Sequence, residues 1–353
     1  MAGHELHYFA GGNTARGFHP LYNSNLAGIH KIIALKGGTV RTRTDIIELF
    51  VELCRKNGYA IEVIHCPLDS GLLEGAICRD RKIAVIDDAI KAHVQKDFGT
   101  IWHEVDAGRP DGGEQEDLEV LYSQIGLMKE KAYRAFGEAL RVHDEWEAIF
   151  IDNMDFDQAD ELSAELVSRL FKSRSAEKKG RTYHRFLGAA TASGAVDYVP
   201  NLTESCEQRY LIKGRPGSGK STMLKKIAAH AEASGYAVEV YHCGFDPQSI
   251  DMVIVREIGF AIFDSTSPHE YFPERDGDII IDVYDRCIRK GTDEDYEADI
   301  KHISGRYRSK MNEATSNLAL AKLYSRELEM LEEGTGEGLE SIAVKLQSYL
   351  ENV

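Results

Sequence analysis

Residues 214–221 read Gly214-Arg215-Pro216-Gly217-Ser218-Gly219-Lys220-Ser221, the GxxxxGKS spacing. Successive backbone N–H groups opening into a helix make an anion cradle, and small residues let the chain approach a phosphate closely. In that chemistry Lys220 reaches the outer phosphates and the Ser221 hydroxyl helps hold Mg²⁺, with Thr222 opening the helix. Asp264 ends the apolar run Phe260-Ala261-Ile262-Phe263, where an acid beside such a loop organises the Mg²⁺ sphere. Asp246 is expected to face the γ-phosphate. Glu257 is a candidate to polarise a water or accept a hydroxyl proton, and Arg256 to steady transferred charge. Thr266, Ser267 and His269 follow Asp264 in a loop expected at the carboxyl edge of a sheet, with His269 a further phosphate contact.

These residues need a strand before the loop and a helix after it. Tyr210-Leu211-Ile212 supplies the apolar run and Thr222 to Ala233 the amphipathic stretch. The pattern occurs twice. Sliding the chain by 177 residues aligns 7–87 with 184–264 without a gap and with 20 identities, about a quarter of the positions. His7, Phe9, Gly11, Thr14, Ala15 and Gly17 match His184, Phe186, Gly188, Thr191, Ala192 and Gly194. Ile46, Ile47, Phe50 and Val51 match Met223, Leu224, Ile227 and Ala228 at the spacing of one buried helix face.

Strands are expected at 32–35, 61–64 and 83–87, with copies at 210–212, 238–241 and 260–264, and a fourth run at 279–283 pairs with a weaker one at 100–105. Strands alternating with helices predict an α/β fold with a parallel sheet flanked by helices in each repeat. Long helical patterns at 118–149 and 300–331 give each repeat a helical C-terminal portion. A further helix at 159–171 closes the first repeat, and another is expected at 339–350. The Ser-, Lys- and Arg-rich stretch from Lys172 to Arg181 sets the expected boundary, giving domains 1–176 and 177–353.

The first repeat departs at the loop. Against Gly217-Ser218-Gly219-Lys220-Ser221-Thr222 it carries Val40, Arg41, Thr42, Arg43, Thr44 and Asp45. Thr42 brings a Cβ where the backbone must meet phosphate, and the planar fork of Arg43 does not replace a compact ammonium. Phosphate binding is therefore expected at the second loop alone. The twin pairs His65-Cys66 and His242-Cys243 invite a zinc reading, but two ligands per repeat fall short of a tetrahedral set. They are expected to pack at strand ends.

The net charge of −16 argues against non-specific binding to nucleic acid or anionic membrane. The basic residues Lys172, Arg174, Lys178, Lys179, Arg181 and Arg185 are expected on a solvated linker. Acidic runs, Asp111 to Glu119, Asp293 to Asp299 and Glu327 to Glu333, read as solvated surface. Six cysteines without a CxxC pair, no signal-peptide pattern and no long apolar run point to a reducing cytoplasm.

His184-Arg185-Phe186-Leu187-Gly188, the segment Lys213 to Thr222, Gly11 to Phe18 and the twin His-Cys segments resemble an uncharacterised bacterial family of tandem P-loop proteins. The resemblance spans nearly the whole chain, and members carry labels such as ATPase or nucleotide kinase. Family members often have a sound loop in both halves; this chain has lost the first. Together these readings predict Mg²⁺-dependent ATP binding and hydrolysis by the second repeat, with the first a regulatory or partner-binding pseudo-domain in an intrachain pseudo-dimer. A small-molecule or nucleotide kinase and a non-hydrolysing nucleotide-dependent scaffold are the alternatives. The Asn/Thr-Lys-x-Asp element that reads guanine is missing, which favours ATP over GTP.

Overall fold

The computed structural model describes residues 4–95, 99–108, 115–172, 175–332 and 338–351; Asp111, Arg174 and Glu333 of the charged runs lie outside these. The first half runs β1 (Glu5–Tyr8), β2 (Gly11–Thr14), β3 (Gly17–Pro20), α1 (Tyr22–Leu26), β4 (Lys31–Lys36), α2 (Val40–Lys56), β5 (Ile61–His65), β6 (Leu73–Cys78), β7 (Ile83–Asp87) and β8 (Ile101–Asp106), then α3 (Gln115–Ile151) and α4 (Phe156–Phe171). The second repeats it: β9 (Arg181–Phe186), β10 (Gly188–Thr191), β11 (Gly194–Asp197), α5 (Val199–Leu202), β12 (Gln208–Lys213), α6 (Lys220–Ala233), β13 (Ala237–His242), β14 (Ile250–Val255), β15 (Phe260–Asp264) and β16 (Asp278–Asp282). It ends with α7 (Val283–Cys287), α8 (Thr292–Asp295), α9 (Glu297–Leu331) and α10 (Leu339–Glu351).

Each half builds a six-stranded sheet of the same order, β1-β5-β6-β7-β4-β8 and β9-β13-β14-β15-β12-β16. The sheets are mixed, which corrects the expectation of parallel ones. β6 and β14, unrecognised in the sequence, run antiparallel to both neighbours. The reason is connection length. Four residues join β6 to β7 and seven join β5 to β6, whereas a parallel crossover needs about a dozen or more. The Gly- and Thr-rich leaders form an edge strand, β1 or β9, followed by a hairpin, β2–β3 or β10–β11.

One face of each sheet turns toward the other half. Tyr8, Ile64, Ile77 and Ile86 share a single core with Tyr241, Met252, Ile254 and Phe263, and α1 and α5 pack into it. The outer face of the first sheet is covered by α2 and, from the far end of the chain, by Ile342, Leu346 and Leu350 of α10. The outer face of the second is covered by α6 and by Leu162, Leu166 and Leu170 of α4. The closing helix of each repeat therefore packs on the other repeat's sheet. The helix read as closing the first repeat covers the second, an exchange that chain order cannot reveal.

The two long helices, 37 and 35 residues, lie antiparallel, as the pairs Glu145–Arg306 (2.6 Å), Glu138–Lys310 (2.7 Å) and Tyr122–Glu332 (2.6 Å) require. Their small residues Ala132, Ala135, Ala314 and Ala321 meet over both hairpins, beside Ala15 and Ala192. No helix among the described residues is long and apolar enough to cross a membrane.

A charged network is buried between the halves. The Arg185 guanidinium bonds Glu62 at 2.8 Å and lies 3.5 Å from Glu239, the same position in the other repeat. Arg79 bonds Glu62 and Arg256 bonds Glu239, again equivalent residues. Against the cost of burial, Arg185 and Arg79 hold the Glu62 carboxyl down at about 2. Arg256 is thus occupied between the halves and not at the loop. Arg185, expected on a linker, is fully buried.

Candidate functional site

β12 delivers the chain to the 214–219 loop, and α6 begins at Lys220. Gly217 and Gly219 adopt φ +75° and +83°, which side-chain-bearing residues rarely tolerate. Ser218 Oγ closes the loop, accepting from the Arg215 N–H at 3.2 Å and donating to the Arg215 carbonyl at 2.8 Å. Arg215 itself is held by Asp293 at 2.7 Å and lies over the Tyr284 ring. Lys220 Nζ donates to the Arg215 carbonyl at 3.0 Å and stands 3.4 Å from Asp264. The loop, Lys220 and Asp264 are thus brought together as expected.

The first half shows what happens without those glycines. Val40 and Thr42 stand at the positions of Gly217 and Gly219, and there the backbone is helical: α2 starts at Val40, three residues earlier in register than α6. Thr39 caps the added turn by accepting from the Thr42 N–H at 3.1 Å. Arg43 then fills the vacated space. Its guanidinium donates to the carbonyls of Gly37 (2.9 Å) and Gly38 (2.7 Å) and to Asp87 (2.8 Å). The donors of a cradle have become helix, and a cation plugs the remainder.

Ser221 Oγ accepts from the Ile250 N–H at 3.0 Å, and Thr44 Oγ1 accepts from Leu73 at 3.1 Å in the first half. This hydroxyl ties helix to β14 or β6, which accounts for its retention in the half that lost its loop. A lone pair remains on the Ser221 hydroxyl, and hydroxyl and carboxylate oxygens such as those of Ser221 and Asp264 are the ligands a hard cation takes.

The remaining candidates separate. Asp264 also accepts from the Thr266 N–H and hydroxyl, at 3.1 and 2.7 Å. Asp246 accepts from Arg16 of the first half at 2.9 Å and lies near Glu147 and His143 of α3. His269 bonds Asp197 at 2.7 Å; burial opposes its charge, but Asp197 raises its pKa on balance. Glu257 is not at the site. It follows β14, whose antiparallel course carries it to the opposite sheet edge, where it accepts from the Ala237 N–H and pairs with Lys178 at 2.9 Å. The twin histidines pair within each half, His7 with His65 and His184 with His242, both at 2.9 Å. Burial drops His65 and His242 to about 4, so they act as neutral hydrogen-bonded pairs at strand ends.

Two groups at the site were missed in the sequence. Asp251 enters on β14 one residue before the Met252–Phe263 pair, which sets it across from Asp264. Burial, then the Asp264 charge, raises it to about 6. Glu74 is its counterpart, raised by burial to about 7 and accepting from Tyr22 at 2.7 Å. An acid at the same place in two otherwise apolar segments was the available signal. The other group is Glu147 on α3, clustered with His143 and Asp144; nothing in the sequence placed that helix over the second loop. Compared with protein-family models, curated proteins and solved structures, the chain matches none.

Proposed function

We propose that the second half binds ATP with Mg²⁺ at the 214–221 loop and hydrolyses it, the first half serving as a regulatory or partner-binding counterpart. The observation that carries this reading is the contrast between the loops. Where Gly217 and Gly219 stand, the backbone is a non-helical loop with Lys220 beside it; where Val40 and Thr42 stand, the same segment is helix plugged by Arg43. Lys220 and the loop N–H groups would take the β- and γ-phosphates. Ser221 and Asp264 would hold Mg²⁺, which screens the phosphates from the surrounding carboxylates. Water would attack the γ-phosphorus, the bond to the β,γ-bridging oxygen would break, and ADP, phosphate and a proton would leave.

Transfer to a small-molecule hydroxyl is the second reading. It is favoured by Asp251, a carboxylate whose raised pKa suits it to accept a hydroxyl proton near neutral pH. Labelled ATP and Mg²⁺, with and without a metabolite extract, separates the two. Free phosphate alone supports hydrolysis, a labelled metabolite supports transfer, and neither product sinks both.

A further inference from the structure

The 214–219 loop belongs to the second half, but what lies over it belongs to the first. The last turns of α3 pass across the loop so closely that a Cβ on Gly217 would run into the backbone of Glu147. Met154, just beyond the helix, sits on Gly219, its Cε 2.6 Å from where a Cβ would project. The segment is pinned there by backbone bonds from Asp155 to Cys287 (2.8 Å) and from Arg289 to Asn153 (2.9 Å).

The end of α9 makes the matching approach to the first half's loop. It brings Lys322 to Asp69 at 2.7 Å and sets Glu329 near Arg41 and Arg43. At the open loop, α3 brings His143, Asp144 and Glu147, within 4.8 Å of one another. The Glu147 carboxylate lies near the Gly217 N–H, a donor of the anion cradle, and near Lys220. Burial, then the Asp144 and Asp246 charges, raise its pKa on balance, and the Gly217 N–H and Lys220 oppose that rise.

We propose that Glu147 is an internal stand-in for phosphate: a carboxylate from the first half that occupies the cradle and that an incoming polyphosphate must displace, so that occupancy of the loop moves the end of α3. The proposal rests on reading the loop as a phosphate site. A carboxylate and a phosphate oxygen compete for the same N–H group and the same lysine, and both are anions, so they do not share the cradle. Because α3 is bridged to α9 through Glu145–Arg306 and Glu138–Lys310, displacement at one end is felt along the helix pair and at the first half's loop. The first half thereby has a task that its own lost loop does not supply.

The test is calorimetric titration of the full-length protein with Mg-ATP and, separately, with inorganic pyrophosphate. Wild type, Glu147→Gln, Glu147→Ala and Lys220→Ala are compared. Both Glu147 variants should bind each ligand about fivefold tighter or more, a gain of about 1 kcal/mol, with unchanged melting temperature for the Gln variant, and Lys220→Ala should bind more weakly. Hydrogen exchange over 143–154 should rise when Mg-ATP is added to wild type. Lys220-dependent binding that is unchanged or weaker in both Glu147 variants overturns the stand-in and leaves the nucleotide reading intact. Absence of binding in all four removes the nucleotide reading and the stand-in with it.

Discussion

Phe9 and Phe186 exchange backbone hydrogen bonds with each other, the N–H of each donating to the carbonyl of the other at 3.1 and 2.9 Å. They are the same position in the two repeats, so a pseudo-two-fold axis passes between them. Further pairs obey it. The His7 N–H donates to Asn201 and the His184 N–H to Ser24, at 2.8 and 3.0 Å. Ala15 donates to Phe245 and Ala192 to Leu68. A residue close to the axis cannot be duplicated, since its copy would claim the same space. Arg185 is such a residue: one guanidinium serves both Glu62 and Glu239, and its counterpart is Tyr8, whose ring lies 4.3 Å away.

Arg185→Ala should therefore cost about 3–5 kcal/mol, because it removes the cation shared by two buried carboxylates and leaves each with a single arginine. Denaturant unfolding of the full chain measures this. A loss under about 1 kcal/mol would mean that Arg79 and Arg256 alone satisfy Glu62 and Glu239.

Glu74 gives a pH signature. Its folded pKa of about 7 lies above the ordinary carboxyl value, so between roughly pH 4.5 and 7 the folded state holds the proton more tightly. That contribution to stability is present in acid and is lost as pH rises. Glu74→Gln removes the titration while keeping an acceptor for Tyr22. It should stabilise the protein at pH 8 by up to about 3 kcal/mol relative to wild type and have little effect at pH 5. Parallel melting curves for variant and wild type across that range would argue against the burial of this carboxyl.

Repetition made the α/β architecture legible, because each strand and buried helix face could be read twice. The loop was legible because its glycines carry their own backbone requirement. β6 and β14 were not: Glu74 and Gly75 interrupt the apolar run of the first, and Asp251 that of the second. Glu62 and Glu239 were identical in the alignment yet unremarkable, because only their convergence on Arg185 gives them a role. The exchange of α4 and α10 left no local trace: an apolar stripe specifies that a helix is covered, not by which half. Glu257 failed as a candidate for the related reason that an antiparallel strand reverses the sheet edge at which its end emerges.

At the loops, Lys220→Ala and Arg43→Ala should part company. Loss of Lys220 should weaken ATP binding by tenfold to a hundredfold, the value of about 1.5–3 kcal/mol for a charged hydrogen bond. Arg43→Ala should leave ATP binding unchanged and lower stability by about 3 kcal/mol, since the buried Asp87 loses its partner. Titration and melting on both variants decide it. Equal losses of ATP affinity would show that the first loop also takes nucleotide.

Asp264→Asn should reduce turnover by roughly a hundredfold or more with a modest change in ATP affinity, because the amide keeps the shape and loses the charge that organises Mg²⁺. Rates across a Mg²⁺ series test this. An inactive Asp246→Asn beside a wild-type Asp264→Asn would move the metal acid to the loop after β13.

Expression of 181–353 alone tests whether the halves are separable. The fragment contains the intact loop and α6, yet it lacks part of the covering on each face of its own sheet. The inner face, including Tyr241, Met252, Ile254 and Phe263, shares its core with Tyr8, Ile64, Ile77 and Ile86 of the first half, which the fragment lacks. Much of the outer face is buried by α4, which precedes the fragment in the chain. In addition α10, inside the fragment, would lose the sheet on which it packs, leaving Ile342, Leu346 and Leu350 exposed. Two partly uncovered apolar sheet faces and a helix stripe in water favour aggregation over folding. The fragment should be insoluble or molten, and extension to 152–353 should restore α4 without curing the inner face. Co-expression of 1–180 with 181–353 should recover a soluble complex, since each piece carries a helix that the other needs. A soluble 181–353 with full activity and the melting temperature of the whole chain would show that the shared core is dispensable.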